Sequence, residues 1–208
     1  MKILSSIVVV LALVASSFEF AVAQGDPAYR DASQLDQQLL SLLKSKKFDD
    51  LDARLNRIVM LYEKDSQFEE TLDVAVDVFY RAGPDLEGLL TEWIAKQPRS
   101  YMAHLARGVY YTRVGWSRRG ARYVDKTSNK EFDAMEFNFK RAWKDLDQAY
   151  ALNDRLVPAL CYMMEILMNF SQQEQIRALR EKALQIDPLS RKARWFYITT
   201  LLPRWGGS

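Results

Sequence analysis

Apolar side chains recur at steps of three and four residues along most of this chain, and this spacing constrains its fold more than any other feature. One run, from Phe48 through Leu55 to Tyr62, keeps its apolar residues on a single helical face. Glycine and proline are scarce, at eight and six of 208 residues, so a fold of many short strands joined by turns is not expected. The pattern predicts an all-α protein of about eight or nine helices, over residues 35–43, 48–62, 68–80, 86–94, 100–113, 130–152, 158–170, 173–185 and 189–202.

A repeat with the tetratricopeptide period, about 34 residues, lies in the second half of the chain. Ala149 and Asn153 recur one such period later as Ala183 and Asp187, and a small residue ahead of Asn or Asp at a helix end is typical of tetratricopeptide repeats. A single helical hairpin is too thin to bury its own apolar face, whereas stacked hairpins share a continuous core. We therefore expect a tetratricopeptide-like helical-hairpin solenoid, with an ordinary helical bundle as the alternative.

One repeat is longer than the others. An earlier copy of the same helix-end pattern ends at Pro98, and the interval from there to Asp154 clearly exceeds one period. The additional length predicts an insertion at about residues 113–130. The helical-repeat domain is expected to cover residues 24–208, with this insertion as its irregular segment.

The first residues have the pattern of a secretory signal peptide. A positive start at Lys2 precedes an apolar run from Ile3 to Ala15, and Ala21-Val-Ala23 follows as a cleavage signal. A bilayer span needs about 20 apolar residues, and Glu19 interrupts this run, so an uncleaved anchor is the weaker alternative. The pattern predicts a signal peptide over residues 1–23 and an exported protein, periplasmic or extracellular, without a membrane span in the mature chain.

Charge and composition exclude several classes of function. Lys and Arg together number 29 against 27 Asp and Glu, a net charge of +2, which is too balanced for a nucleic-acid-binding domain. One Cys and one His leave no ligand set for a zinc or multi-histidine site. The eight glycines form no phosphate-binding loop. The sequence thus predicts neither a metal nor another cofactor.

Few side chains are candidates for catalysis. His104 and Cys161 are expected to be packed within helices rather than to act as base and nucleophile. Glu165 is the only acid in a strongly apolar setting, and a general acid needs such a setting to raise its pKa. On an amphipathic helix, however, a solvent-facing Glu165 is the favoured interpretation. Paired acids such as Glu69-Glu70 are interpreted as helix-start residues on solvated faces.

The stretch from Arg113 to Tyr123 is the most unusual part of the sequence, because it holds four Arg and two aromatic residues and no acid. Arginine binds carboxylates and phosphates through a planar fork and stacks on aromatic rings. The predicted ligand-binding residues are Arg107, Tyr111, Trp116, Arg118, Arg119 and Arg122. In the alternative, these arginines pair with acids of the following helix, namely Glu131, Asp133, Glu136, Asp145 and Asp147.

Three segments together resemble a bacterial family known as domain of unknown function 4034: residues 97–111, Gly115-Trp-Ser-Arg-Arg-Gly120, and the closing Pro203-Arg-Trp-Gly-Gly-Ser208. The resemblance runs from about Leu39 to the last residue. It implies a tetratricopeptide-like helical fold and a bacterial source, and it implies no activity. Members of this family often continue past the Trp-Gly-Gly element, so a short or truncated form is expected here.

These observations favour an exported, non-enzymatic helical-repeat protein. It would bind a peptide, a protein or an envelope component through a groove lined by Arg and aromatic residues. One alternative is a cell-wall-active hydrolase that uses Glu165. Another is a structural subunit of an envelope assembly, in which exposed apolar stripes pair with copies of the same chain. The sequence leaves the oligomeric state and the ligand open.

Overall fold

The computed structural model describes residues 32–121 and 126–202, and within these ranges the chain is all-α, as predicted, with no strand. Two short 3-10 turns, Ser66–Phe68 and Pro84–Leu86, precede the third and fourth helices. The helices are α1 (Ala32–Lys44), α2 (Phe48–Lys64), α3 (Glu69–Arg81), α4 (Glu87–Lys96), α5 (Tyr101–Arg119), α6 (Asn129–Leu152), α7 (Val157–Met168), α8 (Gln173–Ile186) and α9 (Arg191–Thr200).

Several helices begin where a polar side chain caps their free backbone N–H groups. The hydroxyl of Ser100 accepts a hydrogen bond from the backbone N–H of Ala103 at 3.0 Å at the start of α5. Ser128 and Glu131 form a reciprocal capping box at the start of α6. Pro158 lies in the first turn of α7, where a missing N–H costs nothing.

The helices stack as a hairpin solenoid. The odd-numbered helices form one layer in which α1 contacts α3, α3 contacts α5, α5 contacts α7 and α7 contacts α9. The closest pair is α5 with α6, and two glycines permit this approach. A Cβ added at Gly115 would lie 2.5 Å from the ring of Phe139, and one at Gly108 would lie 2.8 Å from Leu146.

Helix α5 is longer than the sequence predicts. It continues to Arg119, well past the expected end at Arg113, so the predicted insertion at about 113–130 begins within a helix. Glycine disfavours helical interiors, so Gly115 gives no local signal that the helix continues. Here it lies against Phe139 on α6, and tight packing between the two helices outweighs its low propensity.

The layer of odd-numbered helices is curved, so that side chains of α3 contact those of α7 and α9. Tyr62 on α2 donates a hydrogen bond from its hydroxyl to Asp187, the residue after α8, at 2.7 Å. Helix α7 is buried along its whole length, since helices pack against it on several sides. The interior of the curl therefore contains polar side chains from α3, α5, α7 and α9.

Several predictions concern residues outside the described ranges. These are the signal peptide over 1–23 with its cleavage site after Ala23, the candidate ligand residue Arg122, and the closing segment 203–208 with Trp205. Within residues 32–121 and 126–202, no helix is long and apolar enough to cross a membrane.

Candidate functional site

Helix α3 carries three acids on one face, at Glu69, Asp73 and Asp77, each four residues after the last. The Glu69 carboxylate is buried and accepts hydrogen bonds from the backbone N–H groups of Arg191 at 2.9 Å and Lys192 at 3.1 Å. It also accepts one from the Ser190 hydroxyl at 2.7 Å. Burial acts to raise the pKa of Glu69, but these hydrogen bonds outweigh it and hold the pKa below its usual range. Glu69 thus caps α9 from a distant part of the chain.

The side chain of Lys192 lies between the other two acids of α3. Its ammonium is 3.0 Å from Asp73 and 2.9 Å from Asp77, and it lies 5.2 Å from the ring centre of Tyr162. Burial acts to lower the pKa of Lys192, but the two carboxylates prevail and raise it. Burial also raises the pKa of Asp73 to about 6, although Lys192 favours its charged form.

Glu165 on α7 lies beside this cluster and is only 9% exposed. One carboxylate oxygen, Oε1, accepts hydrogen bonds from the Tyr80 hydroxyl at 3.0 Å and from the Trp116 indole Nε1–H at 2.6 Å. Desolvation raises the pKa of Glu165 to about 7 in spite of these two hydrogen bonds. The expected solvent-facing position of Glu165 is therefore wrong, because α7 presents no free face to solvent.

A cleft of about 250 Å³ opens between α3, α7 and α9 above Glu165. Its walls are mostly aromatic, and the ring of Tyr162 lies 5.9 Å from those of both Tyr80 and Phe196. Trp195 stands at the rim with 69% of its surface exposed. We call this feature the inner cleft, and its lining residues are Asp77, Tyr80, Tyr162, Glu165, Met168, Trp195, Phe196 and Thr199.

Arg107, a predicted ligand residue, is held within the fold. Its guanidinium donates two hydrogen bonds to Asp145 on α6, from Nε at 2.7 Å and from Nη2 at 2.9 Å. Burial acts to raise the pKa of Asp145, but Arg107 and His104 keep it below its ordinary value. The predicted alternative, in which arginines pair with acids of the following helix, thus describes Arg107 and Asp145.

Tyr111, the next predicted residue, is buried in a separate cluster. Its hydroxyl donates a hydrogen bond to Glu87 on α4 at 3.0 Å. Arg141 lies 3.9 Å from the centre of the Tyr111 ring and also forms an ion pair with Glu87. The hydrogen bond that Arg141 donates lowers the pKa of Glu87. Tyr111 therefore joins α4, α5 and α6 rather than lining the inner cleft.

The remaining predicted residues divide between surface, core and cleft. Arg119 is buried, with its guanidinium 5.9 Å from the ring centres of both Trp116 and Phe132. Arg118, the residue before it on α5, is exposed. Trp116 contacts the Glu165 carboxylate directly. Trp116 is thus the one predicted residue of the described ranges that bonds to a residue lining the inner cleft.

From sequence alone, Glu69 is interpreted as a helix-start residue on a solvated face, and Asp73 and Asp77 are assigned no role. A signal was present, because like charges four residues apart destabilise an isolated helix. Three such acids in a row at Glu69, Asp73 and Asp77 indicate a cationic partner elsewhere in the chain. Among the described residues, no three acids, cysteines or histidines converge in a geometry that would hold a metal ion.

The fold and the inner cleft define a helical-repeat protein with an open aromatic cleft over a buried carboxyl group. Residues 35–179 match the family model described as Domain of unknown function (DUF4034), and the chain belongs to this family. The match includes Asp77, Tyr80, Trp116 and Glu165, and it ends within α8, ahead of α9. No curated protein and no solved structure matches the chain.

Proposed function

We propose that this protein is an exported, non-enzymatic binding module that holds a segment of a polypeptide partner in the inner cleft. The observation that supports this proposal is the cleft itself, with four aromatic walls over a buried carboxylate. Binding sites are typically concave and largely apolar, with a few polar groups that orient the ligand. Three packed helices hold these side chains, so the site is rigid before a partner arrives.

The proposed site differs from the groove that the sequence favoured. Arg107 and Arg119 are already engaged within the fold, by Asp145 and by aromatic rings respectively. If either arginine turned away to bind a ligand, the fold would lose the partner of a half-buried charge or the packing on buried aromatic rings. Of the aromatic residues expected in the groove, Trp116 contacts the cleft residue Glu165, and the acids Asp77 and Glu165 line the cleft where arginines were expected.

Export is part of the proposal and rests on the sequence of residues 1–23. Fractionation of cells that produce the full chain tests it. We expect the protein in the periplasmic or extracellular fraction, with a mass corresponding to cleavage after Ala23. A full-length chain that stays in the cytoplasm would contradict this part of the proposal without affecting the inner cleft.

Site-specific photo-crosslinking tests binding at the inner cleft. A photoreactive phenylalanine analogue replaces Trp195 at the cleft rim in one variant, and Phe137 on the outer surface of α6 in a matched control. Both residues are well exposed, at 69% and 61%. We expect a discrete cross-linked polypeptide from position 195 alone, which Tyr162→Ala within the cleft abolishes. Identical products from the two positions would contradict the proposal.

The cell-wall hydrolase is the second candidate, and one observation favours it. Burial raises the pKa of Glu165 to about 7, which suits a general acid at neutral pH. Asp77, a second carboxylate, lines the same cleft, and glycoside hydrolysis commonly uses two. Turnover of isolated peptidoglycan by the wild-type protein, lost in Glu165→Gln, would establish this activity. Cross-linking of a polypeptide at position 195 without any turnover favours the binding module instead.

A further inference from the structure

We propose that the inner cleft recognises a cationic side chain, a lysine ammonium or an arginine guanidinium, on an extended segment of the partner polypeptide. This inference rests on the proposed function, because it names the chemistry of the group that the cleft holds. It follows from the hydrogen bonds, the charges and the size of the cleft.

Glu165 is a buried acid without a cation. Both of its hydrogen bonds, from Tyr80 and Trp116, come from neutral donors and reach the same oxygen, Oε1. Among the described residues it forms no ion pair. Its second oxygen, Oε2, accepts no hydrogen bond there and is not sealed from the cleft. Buried charges in proteins are normally paired, so this carboxyl group lacks the cation that would stabilise its charged form, and a ligand can supply it.

The cations on this side of the fold leave Glu165 without an ion pair. Lys192 on α9 is held at 3.0 Å and 2.9 Å by Asp73 and Asp77. Arg113 on α5 is exposed and lies 5.8 Å from the ring centre of Tyr80. Neither forms an ion pair with Glu165, although Lys192 is close enough to favour its charge. Two carboxylates, Asp77 and Glu165, thus line the cleft, and the one buried ammonium beside them is bound to Asp77 and Asp73.

The walls of the inner cleft are aromatic rings. Tyr80, Tyr162 and Phe196 follow one another at ring separations of 5.9 Å, and Trp195 continues the series at the rim. The face of an aromatic ring attracts a cation within about 6 Å. Lys192 already lies 5.2 Å from the Tyr162 ring, so the chain itself provides an example of this contact. Aromatic rings above a carboxylate favour a cation over an anion or a neutral group.

The size of the inner cleft limits its occupant. The cleft volume is about 250 Å³, and pockets for drug-sized ligands measure roughly 300–1,000 Å³. A folded domain does not enter such a space, whereas one long side chain does. The occupant is therefore a single residue, presented by a segment that lies across the exposed rim at Trp195.

The test is a titration with short blocked peptides that is followed by NMR at the tryptophan indole resonances. The peptides are acetyl-Gly-Lys-Gly-amide, acetyl-Gly-Arg-Gly-amide and acetyl-Gly-norleucine-Gly-amide, the last being uncharged with an apolar stem similar to that of lysine. The Trp116 indole reports on Glu165 directly, because its N–H is bonded to the carboxylate. Trp116→Phe and Trp195→Phe assign the two signals.

We expect the lysine and arginine peptides to shift the Trp116 and Trp195 signals saturably, and the norleucine peptide to bind about tenfold more weakly or not at all. Glu165→Gln, which keeps an oxygen acceptor in place, lowers the affinity for the lysine peptide by about tenfold. Glu174→Gln, at an exposed position on α8, leaves the affinity unchanged. Trp195→Ala at the exposed rim provides a second variant that leaves the buried carboxylate in place. We expect it to lower the affinity for the lysine peptide.

Equal affinity for the norleucine and lysine peptides would overturn the inference, as would an unaltered affinity in Glu165→Gln. An absence of any saturable shift with the charged peptides at millimolar concentration would also overturn it. These failures are distinguishable from failure of the proposed function, because cross-linking at position 195 does not depend on the charge of the partner. A cross-linked product that persists in Glu165→Gln would mean that the protein binds a partner through a group other than a cationic side chain.

Discussion

The indole N–H of Trp116 lies 2.6 Å from Oε1 of Glu165, so a residue on α5 and a buried acid on α7 form one hydrogen bond across the inner layer of the solenoid. The two residues are 49 positions apart in the sequence. From sequence alone they are assigned unrelated roles, Trp116 in anion binding and Glu165 in catalysis. Their contact moves the candidate site from the arginine-rich end of α5 to the inner cleft.

The first prediction concerns the pH dependence that Glu165 contributes to stability. Its pKa in the folded protein is raised from 4.5 to about 7, so the native state holds the proton more tightly than the unfolded state does. This contribution is fully present below about pH 4.5 and is lost as the pH rises to about 7. One pKa unit corresponds to about 1.4 kcal/mol, so the loss is about 3 kcal/mol.

Glu165→Gln removes this titration. Urea unfolding from pH 4.5 to pH 8 measures the free energy of unfolding of both proteins. We expect the difference, wild type minus variant, to fall by about 3 kcal/mol over this range. Glu174→Gln should follow the wild type at every pH. A difference between wild type and Glu165→Gln that stays constant with pH would contradict the account.

The second prediction concerns the cap that Glu69 places on α9. Glu69→Gln substitutes a donor for one acceptor oxygen and removes the charge that four hydrogen bonds from Ser190, Arg191 and Lys192 stabilise. We expect the free energy of unfolding to fall by about 2 to 4 kcal/mol. The neighbouring Glu70→Gln, at an exposed position, should change it by about 0.5 kcal/mol or less. Equal effects of the two substitutions would show that Glu69 does not hold α9.

The third prediction concerns the close packing of α5 on α6. Gly115→Ala places a Cβ 2.5 Å from the Phe139 ring, so that ring must move. Overpacking costs about 1–3 kcal/mol, which outweighs the gain in helix propensity of about 0.5–1 kcal/mol. Thermal unfolding should therefore show a lower melting temperature. Gly88→Ala is the matched control, because nothing lies within 4 Å of its added Cβ, and it should raise the melting temperature.

The fourth prediction separates two adjacent arginines. Arg119 is buried against Trp116 and Phe132, so Arg119→Ala removes packing as well as two cation–π contacts of about 0.5–1 kcal/mol each. We expect it to lower the free energy of unfolding by about 1–2 kcal/mol. The exposed Arg118→Ala should leave it within about 0.5 kcal/mol of the wild-type value. A loss in Arg118→Ala as large as that in Arg119→Ala would be inconsistent with these positions.

Much of the fold could be predicted from the sequence, because helical periodicity is a local property. Apolar spacing placed Phe48 and Tyr62 on one face of a helix, and both are buried. The end of α5 could not be placed, since Gly115 disfavours a helix locally and is required only by its contact with Phe139 on α6. Local propensity and tertiary packing disagree at that position, and packing decides the outcome.

The candidate site was less predictable, because it depends on how far the solenoid curls. Glu69 and Lys192 are 123 residues apart, and no local pattern indicates that α3 meets α9. Glu165 was singled out for its apolar neighbours, yet the exposure of an acid on a helix depends on how many helices surround it. Only the curl brings α3 and α9 against α7 and buries that carboxylate.

The most direct test uses the partner that is identified by cross-linking at position 195. Calorimetry measures how tightly this partner binds to two variants of the protein. One variant, Trp195→Ala/Glu165→Gln, changes the inner cleft, and the other, Arg118→Ala/Arg122→Ala, changes the arginine-rich stretch. We predict that the cleft variant binds at least about tenfold more weakly, whereas the arginine variant binds as the wild type does. A loss of binding confined to the arginine variant would contradict the account and return the site to the end of α5.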